Sequence, residues 1–567
     1  MKRFDEALSS YDRALAIKPD YAEALSNRGI AMMELNSLDG ALASFDSALA
    51  IKPDYAEACY NRGIVLMKLE RAGEALASFD RALATRPDYA EAFSNRGAAL
   101  QALKRHEEAL AVFDRILAAE PDHPHALSAL ATSALETCDW RLTEIVAARL
   151  NGRIVEHGGF IDPFMLLFFS DDPSLQLQCA KNFVRNRIPV LPRLPERPVS
   201  RHEKIRIAYL SADFRNHPMS HLMAELFELH DRARFEVIGI SFGPDDRSDI
   251  RARVVRAFDR FHDVRSKSDR DIATLIHDLK IDIAIDLMGH TRNARPGIAA
   301  QRCAPIQVSY LGFPGTTGTD FMDYIIADSI VLPLDQQPFY TEQIVHLPET
   351  YWVNDSKLQM SGRAPTRAEA GLPEQGFVFC CFNKNAKITA PVFDVWMRLV
   401  SATEGSVLWL LRDNAVAEKN LRREAEARGI DPNRLVFADK QELQRHLARH
   451  RLADLFLDTV PYNAHTTASD ALAAGLPLVT CLGATFPGRV AASLLSAVGL
   501  PELITQSLAE YEALALKLAQ DGEYRRDVQA RLARNRTSFP LFDTDRFRDQ
   551  IETAYTAMWE RWQRACG

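Results

Sequence analysis

The string PDYAEA occurs at residues 19–24, 53–58 and 87–92, and Pro121 continues the series into a fourth copy. The spacing is 34 residues each time. Within this period Ala7, Ala41, Ala75 and Ala109 recur, as do Gly29, Gly63 and Gly97 and the rings Tyr11, Phe45, Phe79 and Phe113. A pair of helices joined by a turn explains the pattern. Small residues sit where the helices of a pair cross, an aromatic fills the gap to the next pair, and Pro-Asp ends one helix and starts another.

A unit of this length and composition follows the tetratricopeptide pattern, which predicts an α-superhelix over residues 1–135. Residues 1–18 match only the second helix of a unit, so the chain is either a trimmed longer protein or is capped by an orphan helix. The fourth unit degrades after His123 and Pro124. Asn27, Asn61 and Asn95 keep the period on the first helices, which line the concave face of such a superhelix. A side-chain amide both donates and accepts, so this ladder suits an extended acceptor peptide of arbitrary sequence. Hydrogen bonding between repeats, or a solvated face, is the alternative.

The whole chain has 567 residues, enough for roughly three to four domains of ~150 residues. With 47% apolar and 25% charged residues and a net charge of −8, it is neither a polybasic nucleic-acid binder nor a disordered chain. Its eight cysteines form no CxxC and no ladder of spacings, so no disulfide framework or thiolate zinc site is expected. No apolar run reaches ~18 residues, and the N-terminus is amphipathic with acids. A cytoplasmic protein without membrane association is predicted.

Residues 136–203 read as a helical junction closed by the proline-rich IPVLPRLPERP, with Phe164, Phe168 and Phe169 packing inward. Beyond it, apolar runs alternate with helical patterns. IRIAYL (205–210), EVIGIS (236–241), IAIDLM (283–288) and IQVSYL (306–311) form one series. FVFCCF (377–382), SVLWLL (406–411), LVF (435–437), ADLFLD (453–458) and PLVTC (477–481) form a second. Two Rossmann-like parallel sheets are predicted, one in a lobe at 204–375 and one in a lobe at 376–567 that also carries the C-terminal helices. The fold class is thus α plus α/β. Ligands of such sheets bind outside the carboxyl ends of the strands, so the cleft between two lobes is where chemistry is expected.

Four segments follow those strand ends. DTVPYNAHTTASDALAAGLPLV delivers His465, Thr466 and Thr467 to the start of a helix, where free N–H groups, hydroxyls and the helix dipole favour an anion. A plain N-cap is the alternative. FNKNAKIT places Lys384 and Lys387 toward the same cleft, where cations stabilise a departing diphosphate. SADFRNHPMSHLM puts His217 directly after the first strand as an acid–base candidate, with His221 four residues on. YLGFPGTTGTDFMDY sets Gly312, Pro314, Gly315 and Gly318 around Thr316 and Thr317, a loop that brings backbone close to a ligand or simply turns. His290 and Thr291 follow IAIDLM and also qualify for the cleft, whereas His277 reads as a packed histidine. No P-loop or GxGxxG marks the second lobe, which argues against an ATPase or nicotinamide dehydrogenase. No Asp-x-Asp ends a strand, so no metal is expected.

Taken together, NHPMSHLM, LGFPGTTG, FNKNAKIT, LADLFLDTVPYNAHTTASDAL and RVAASLL resemble the O-linked N-acetylglucosamine transferase family, with the few repeats of its bacterial members. The resemblance implies a GT-B fold and an inverting, metal-independent transfer from UDP-N-acetylglucosamine to Ser or Thr of proteins. It makes His217 the histidine named as catalytic base and Lys387 the lysine at the diphosphate. His465, Thr466 and Thr467 become the phosphate-binding trio, and Asp470 the ribose partner. His446 falls where a histidine packs on uracil, Arg449 where an arginine lies near the base, and Lys440 where a further lysine contacts nucleotide. Lys384 departs from the family, whose animal members carry glutamine there. The related SPINDLY branch, implied to use GDP-fucose, lacks the histidine matching His465 and the NHP of Asn216–Pro218. Two other readings stay open: GDP-fucose as donor, and a non-catalytic scaffold whose lobes bind nucleotide.

Overall fold

The computed structural model describes residues 4–120, 123–156, 161–188, 190–195, 203–358 and 362–566. Pro121 and residues 196–202, where the proline-rich stretch ends, lie outside the described residues. The chain forms two compact units, Met1–Ser133 with Val264–Ile272, and Ala134–Asp263 with Ala273–Gly567.

In the first unit, helices Phe4–Ile17, Ala22–Glu34, Leu38–Ile51, Ala56–Lys68, Ala72–Thr85, Ala90–Ala102 and His106–Ala119 pack in succession. A Cβ on Gly29 would lie 2.8 Å from the Phe45 ring, on Gly63 2.5 Å from Phe79, and on Gly97 2.6 Å from Phe113. The aromatic therefore packs on the glycine of its own pair, a contact the period alone did not suggest, because the missing side chain leaves room for the ring there. A second ladder runs alongside: Arg28, Arg62 and Arg96 reach Asp12, Asp46 and Asp80 on the preceding helix at 2.7, 2.6 and 2.6 Å. Being partly exposed, each contributes at most ~1 kcal/mol.

The second unit holds two parallel sheets. The first contains β1 (Ile205–Ser211), β2 (Phe235–Ser241), β3 (Arg260–Asp263), β4 (Ile283–Asp286), β5 (Ile306–Ser309), β6 (Tyr324–Ala327) and β7 (Gln343–His346) in the order 3-2-1-4-5-6-7. The second contains β8 (Val378–Cys381), β9 (Val407–Leu411), β10 (Leu435–Ala438), β11 (Leu455–Leu457), β12 (Leu478–Cys481) and β13 (Ile504–Thr505) in the order 10-9-8-11-12-13. Both orders reverse beside the first strand of the sheet, β1 or β8, which opens a crevice there at the carboxyl ends. β3, β7 and β13 hold no apolar run of three residues to announce them, whereas β6 (YIIA) is as apolar as LVF and is missing from the predicted series.

Helix Thr544–Cys566 corrects the lobe boundary, since it packs against the first lobe: Tyr555 Oη lies 3.2 Å from Tyr209 Oη, and Glu552 lies 2.9 Å from His230 Nδ1. In the junction, Asp162 and Asp172 cap helices Pro163–Leu166 and Pro173–Arg187, each followed by proline at the first helical position. Trp140 Nε1 donates to the Ile388 carbonyl at 2.8 Å, and Phe164 and Phe168 pack with Phe313 and Tyr462. The junction is thereby fastened to both lobes.

Candidate active site

A cavity of about 520 Å³ opens between the two lobes, within the usual range of a small-molecule site. One wall comes from the first lobe, with His217, His221, Asn354 and Asp355, and the other from His446, Thr466, Ser469 and Asp470. Ser469 donates to Asn354 Oδ1 at 2.7 Å and joins the walls.

His217 caps helix Pro218–Leu229 through Nδ1, which accepts from the Met219 amide at 3.3 Å. The neutral ring then carries its proton on Nε2, so in this arrangement the free nitrogen donates rather than accepts. Burial lowers its pKa, opposed by Asp213 at 3.7 Å. His221 pairs with Asn216 Oδ1 at 2.9 Å.

After β8 the chain tightens into the turn Asn385–Lys387. Lys387 Nζ donates to the Asn463 carbonyl at 2.6 Å and sits 3.9 Å from the centre of the Tyr462 ring. Burial lowers the ammonium's pKa, with buried Asp458 opposing, while burial raises that of Asp458. Asp458 accepts from the amides of Thr459 and Ala464 at 2.7 and 2.6 Å and from Thr480 Oγ1 at 2.6 Å. It opens the quoted DTVPYNAHTT stretch, yet a carboxylate closing a strand gave no separate signal. Lys384 is exposed and acts electrostatically on both His217 and Lys387, lowering both.

Helix Thr466–Ala473 begins after His465, whose Nε2 donates to the Pro487 carbonyl at 3.1 Å and whose pKa burial lowers strongly. Thr466 lies on the cavity wall, but the Thr467 hydroxyl is engaged by Asn383 Oδ1. One hydroxyl of the predicted pair is thus directed at the protein. Asp470 faces the cavity 3.9 Å from His446 Nε2, and burial pushes its pKa up to about 7.

The structure moves several predicted residues off the wall. Arg449 is buried behind His446, donating to its Nδ1 at 2.6 Å and to the Asp439 carbonyl at 2.7 Å, with its guanidinium 4.2 Å from the centre of the Phe382 ring. Burial first, then His450 and Arg449, holds His446 neutral, with its pKa lowered to about 2. Lys440 pairs with Asp413 at 3.4 Å. Pro314 and Gly315 are buried away from the cavity wall, and Thr316 and Thr317 donate to buried Glu342, at 2.7 Å from Thr316 Oγ1 and 2.6 Å from the Thr317 amide. Gly312 is required by the Leu287 carbonyl, 1.9 Å from where a Cβ would stand. These glycines admit neighbouring chain rather than ligand. His290 is packed between Phe183 and Phe313 and bonds the Thr317 carbonyl at 2.8 Å, while Thr291 donates to the Met288 carbonyl. His277 is half-buried against the Pro195 carbonyl.

In the repeat unit, Asn27 is exposed and Asn61 and Asn95 are half-buried on successive first helices. Asn95 donates to the Glu91 carbonyl of its own helix at 2.9 Å. No helix among the described residues is long and apolar enough to cross a membrane.

Two Rossmann-ordered sheets meeting at such a cleft, preceded by tetratricopeptide helices, place the molecule in the class of two-lobed α/β proteins with a ligand site between the lobes. The chain belongs to Glycosyl transferase family 41, matched over residues 190–364 and 363–551, and tetratricopeptide repeats match over 1–36, 31–70 and 60–124. It is 38% identical over 416 residues to a probable UDP-N-acetylglucosamine–peptide N-acetylglucosaminyltransferase SEC of Arabidopsis thaliana, covering 70% of this chain and 43% of that protein. The probable UDP-N-acetylglucosamine–peptide N-acetylglucosaminyltransferase SPINDLY of Oryza sativa subsp. japonica is 31% identical over 65% of this chain and 40% of its own. The chain thus spans less than half the length of these relatives. Over their full lengths, it is similar to the solved structure of a lysine-to-methionine mutant of Thermobaculum terrenum O-GlcNAc transferase, with a TM-score of 0.73 and 26% identity.

Proposed function

We propose that this chain transfers N-acetylglucosamine from UDP-N-acetylglucosamine to Ser or Thr hydroxyls of proteins, with inversion and without a metal. The observation that carries the reading is Lys387, a cation held beside the start of helix Thr466–Ala473, next to a cavity that Asp470 and His446 line. The nucleoside lies toward Asp470 and His446, and the diphosphate toward Lys387, the Thr466 hydroxyl and the backbone amides of the helix start that His465 precedes. The acceptor oxygen bonds the anomeric carbon opposite the departing diphosphate, which takes the bonding electron pair. Preorganised donors facing that charge are worth ~10²–10³ in rate each. The hydroxyl proton goes to a base. His217 on the opposite wall is the candidate, and to accept the proton it must carry its own on Nδ1 and release Met219. The names of the relatives support this donor, and the repeats support a protein acceptor held along the Asn ladder.

Thermal-shift titration with UDP, UDP-N-acetylglucosamine, GDP and GDP-fucose, with and without EDTA, tests the reading, since a ligand at 100 times its Kd adds ~2.7 kcal/mol. Stabilisation by the uridine pair alone, unaffected by EDTA, is expected. Stabilisation by the guanosine pair, or loss with EDTA, overturns the donor or the metal independence respectively, and no response favours a scaffold.

A further inference from the structure

The junction ahead of the lobes reaches the phosphate side of the cleft. Asp171 stands between the two short-loop caps, Asp162 and Asp172, and caps neither helix itself. Its carboxylate grips the loop after β12: Oδ2 accepts from the Ala484 amide at 2.7 Å, and Oδ1 from the Thr485 amide at 2.9 Å and hydroxyl at 2.6 Å. Gln176, on the same junction, donates to Thr485 Oγ1 at 3.3 Å. Glycines admit this approach, since a Cβ on Gly483 would lie 3.2 Å from the Asp171 carboxylate.

The loop so held presents the Pro487 carbonyl, which accepts from the Asn463 amide at 2.9 Å and from His465 Nε2 at 3.1 Å. The carbonyl of that same Asn463 accepts from Lys387 Nζ. A second track runs in parallel. Phe168 stacks on Tyr462 at 4.8 Å and 18°, Tyr462 stacks on His465 at 4.7 Å and 28°, and the Lys387 ammonium rests on the Tyr462 ring. Both tracks start in the junction and end on the same two side chains.

We propose that Asp171, assisted by Phe168, is a positioning residue that sets the Pro487 carbonyl, thereby fixing His465 at the start of helix Thr466–Ala473 and aiming Lys387 at the diphosphate of the donor. This deepens the donor reading above and rests on it. A carboxylate is required because three donors converge on its two oxygens, and an amide would turn N–H groups toward the Ala484 amide.

The test is calorimetric titration of the full chain and its D171A, D171N, T485V and F168L variants with uridine, UMP and UDP. D171A is expected to weaken UDP by about tenfold or more, the scale of a charge-assisted bond, while uridine is held as before. D171N and T485V should fall between, and T485V keeps the inference testable should D171A not fold. Unchanged UDP affinity in every variant overturns it, as does equal loss for uridine and UDP, the mark of general damage. If the unmodified protein binds none of the three, the donor reading falls. The positioning claim is then read from solvent protection of the His465 Nε2–H resonance, which D171A should abolish and whose persistence refutes it.

Discussion

Replacing Lys387 with Met keeps the length of the side chain and removes its charge. What is lost on the protein side is the bond to the Asn463 carbonyl, worth ~1.5–3 kcal/mol as a charged hydrogen bond, and the contact with the Tyr462 face, worth ~2 kcal/mol when desolvated. What is regained is the desolvation cost of a buried ammonium, several kcal/mol, so folding stability near neutral pH changes little. Turnover responds differently, because Lys384, the other cation within electrostatic reach, is exposed and screened by water. A loss of ~10²–10³ in the transfer step is expected, about 2.7–4 kcal/mol of barrier. The sign of the pH effect follows from burial. A lysine whose pKa is lowered on folding binds fewer protons than in the unfolded chain at all pH values between its folded value and ~10.4, so its contribution to stability rises with pH through that window. The Met variant should flatten that slope. Single-turnover release of UDP and melting curves from neutral to alkaline pH measure both effects. A near-normal rate with an unchanged pH slope would refute the placement of charge.

Other outcomes are equally concrete. Because the Asp470 pKa is raised to about 7, its carboxyl is partly protonated near neutrality, and ribose hydroxyls that donate to it favour the ionised form. Nucleotide binding should release a fraction of a proton, seen as buffer-dependent heats in calorimetry, and Asp470→Asn should abolish the dependence and weaken binding by ~10–100-fold. Replacing Asn27, Asn61 and Asn95 together with Ala should reduce transfer to proteins while leaving donor hydrolysis untouched; equal loss of both activities counts against a ladder that holds peptide. Gly63→Ala forces a Cβ to 2.5 Å from Phe79 and should cost ~1–3 kcal/mol, with Phe79→Leu restoring part of it in a double-mutant melt.

The 34-residue period alone determined the repeat unit, because identical spacing of small residue, ring and Pro-Asp admits one helix pairing. Alternating apolar runs likewise determined two parallel sheets, since buried strands must be apolar on both faces. Strand-end position then singled out His217, Lys387 and the His465–Thr466 turn. Tertiary structure decided which polar groups face the cavity and which face protein. Thr466 and Thr467 are neighbours of like chemistry, yet a helix turns 100° per residue, so one meets the cavity and the other Asn383. The glycine loop around Pro314 has the composition of a ligand cradle, but Glu342, arriving from a distant edge of the sheet, takes its hydroxyls. Asp458 and Asp171 were illegible for the same reason: a carboxylate declares its role only through the donors that folding brings to it, and those lie from 1 to more than 300 residues away in the chain.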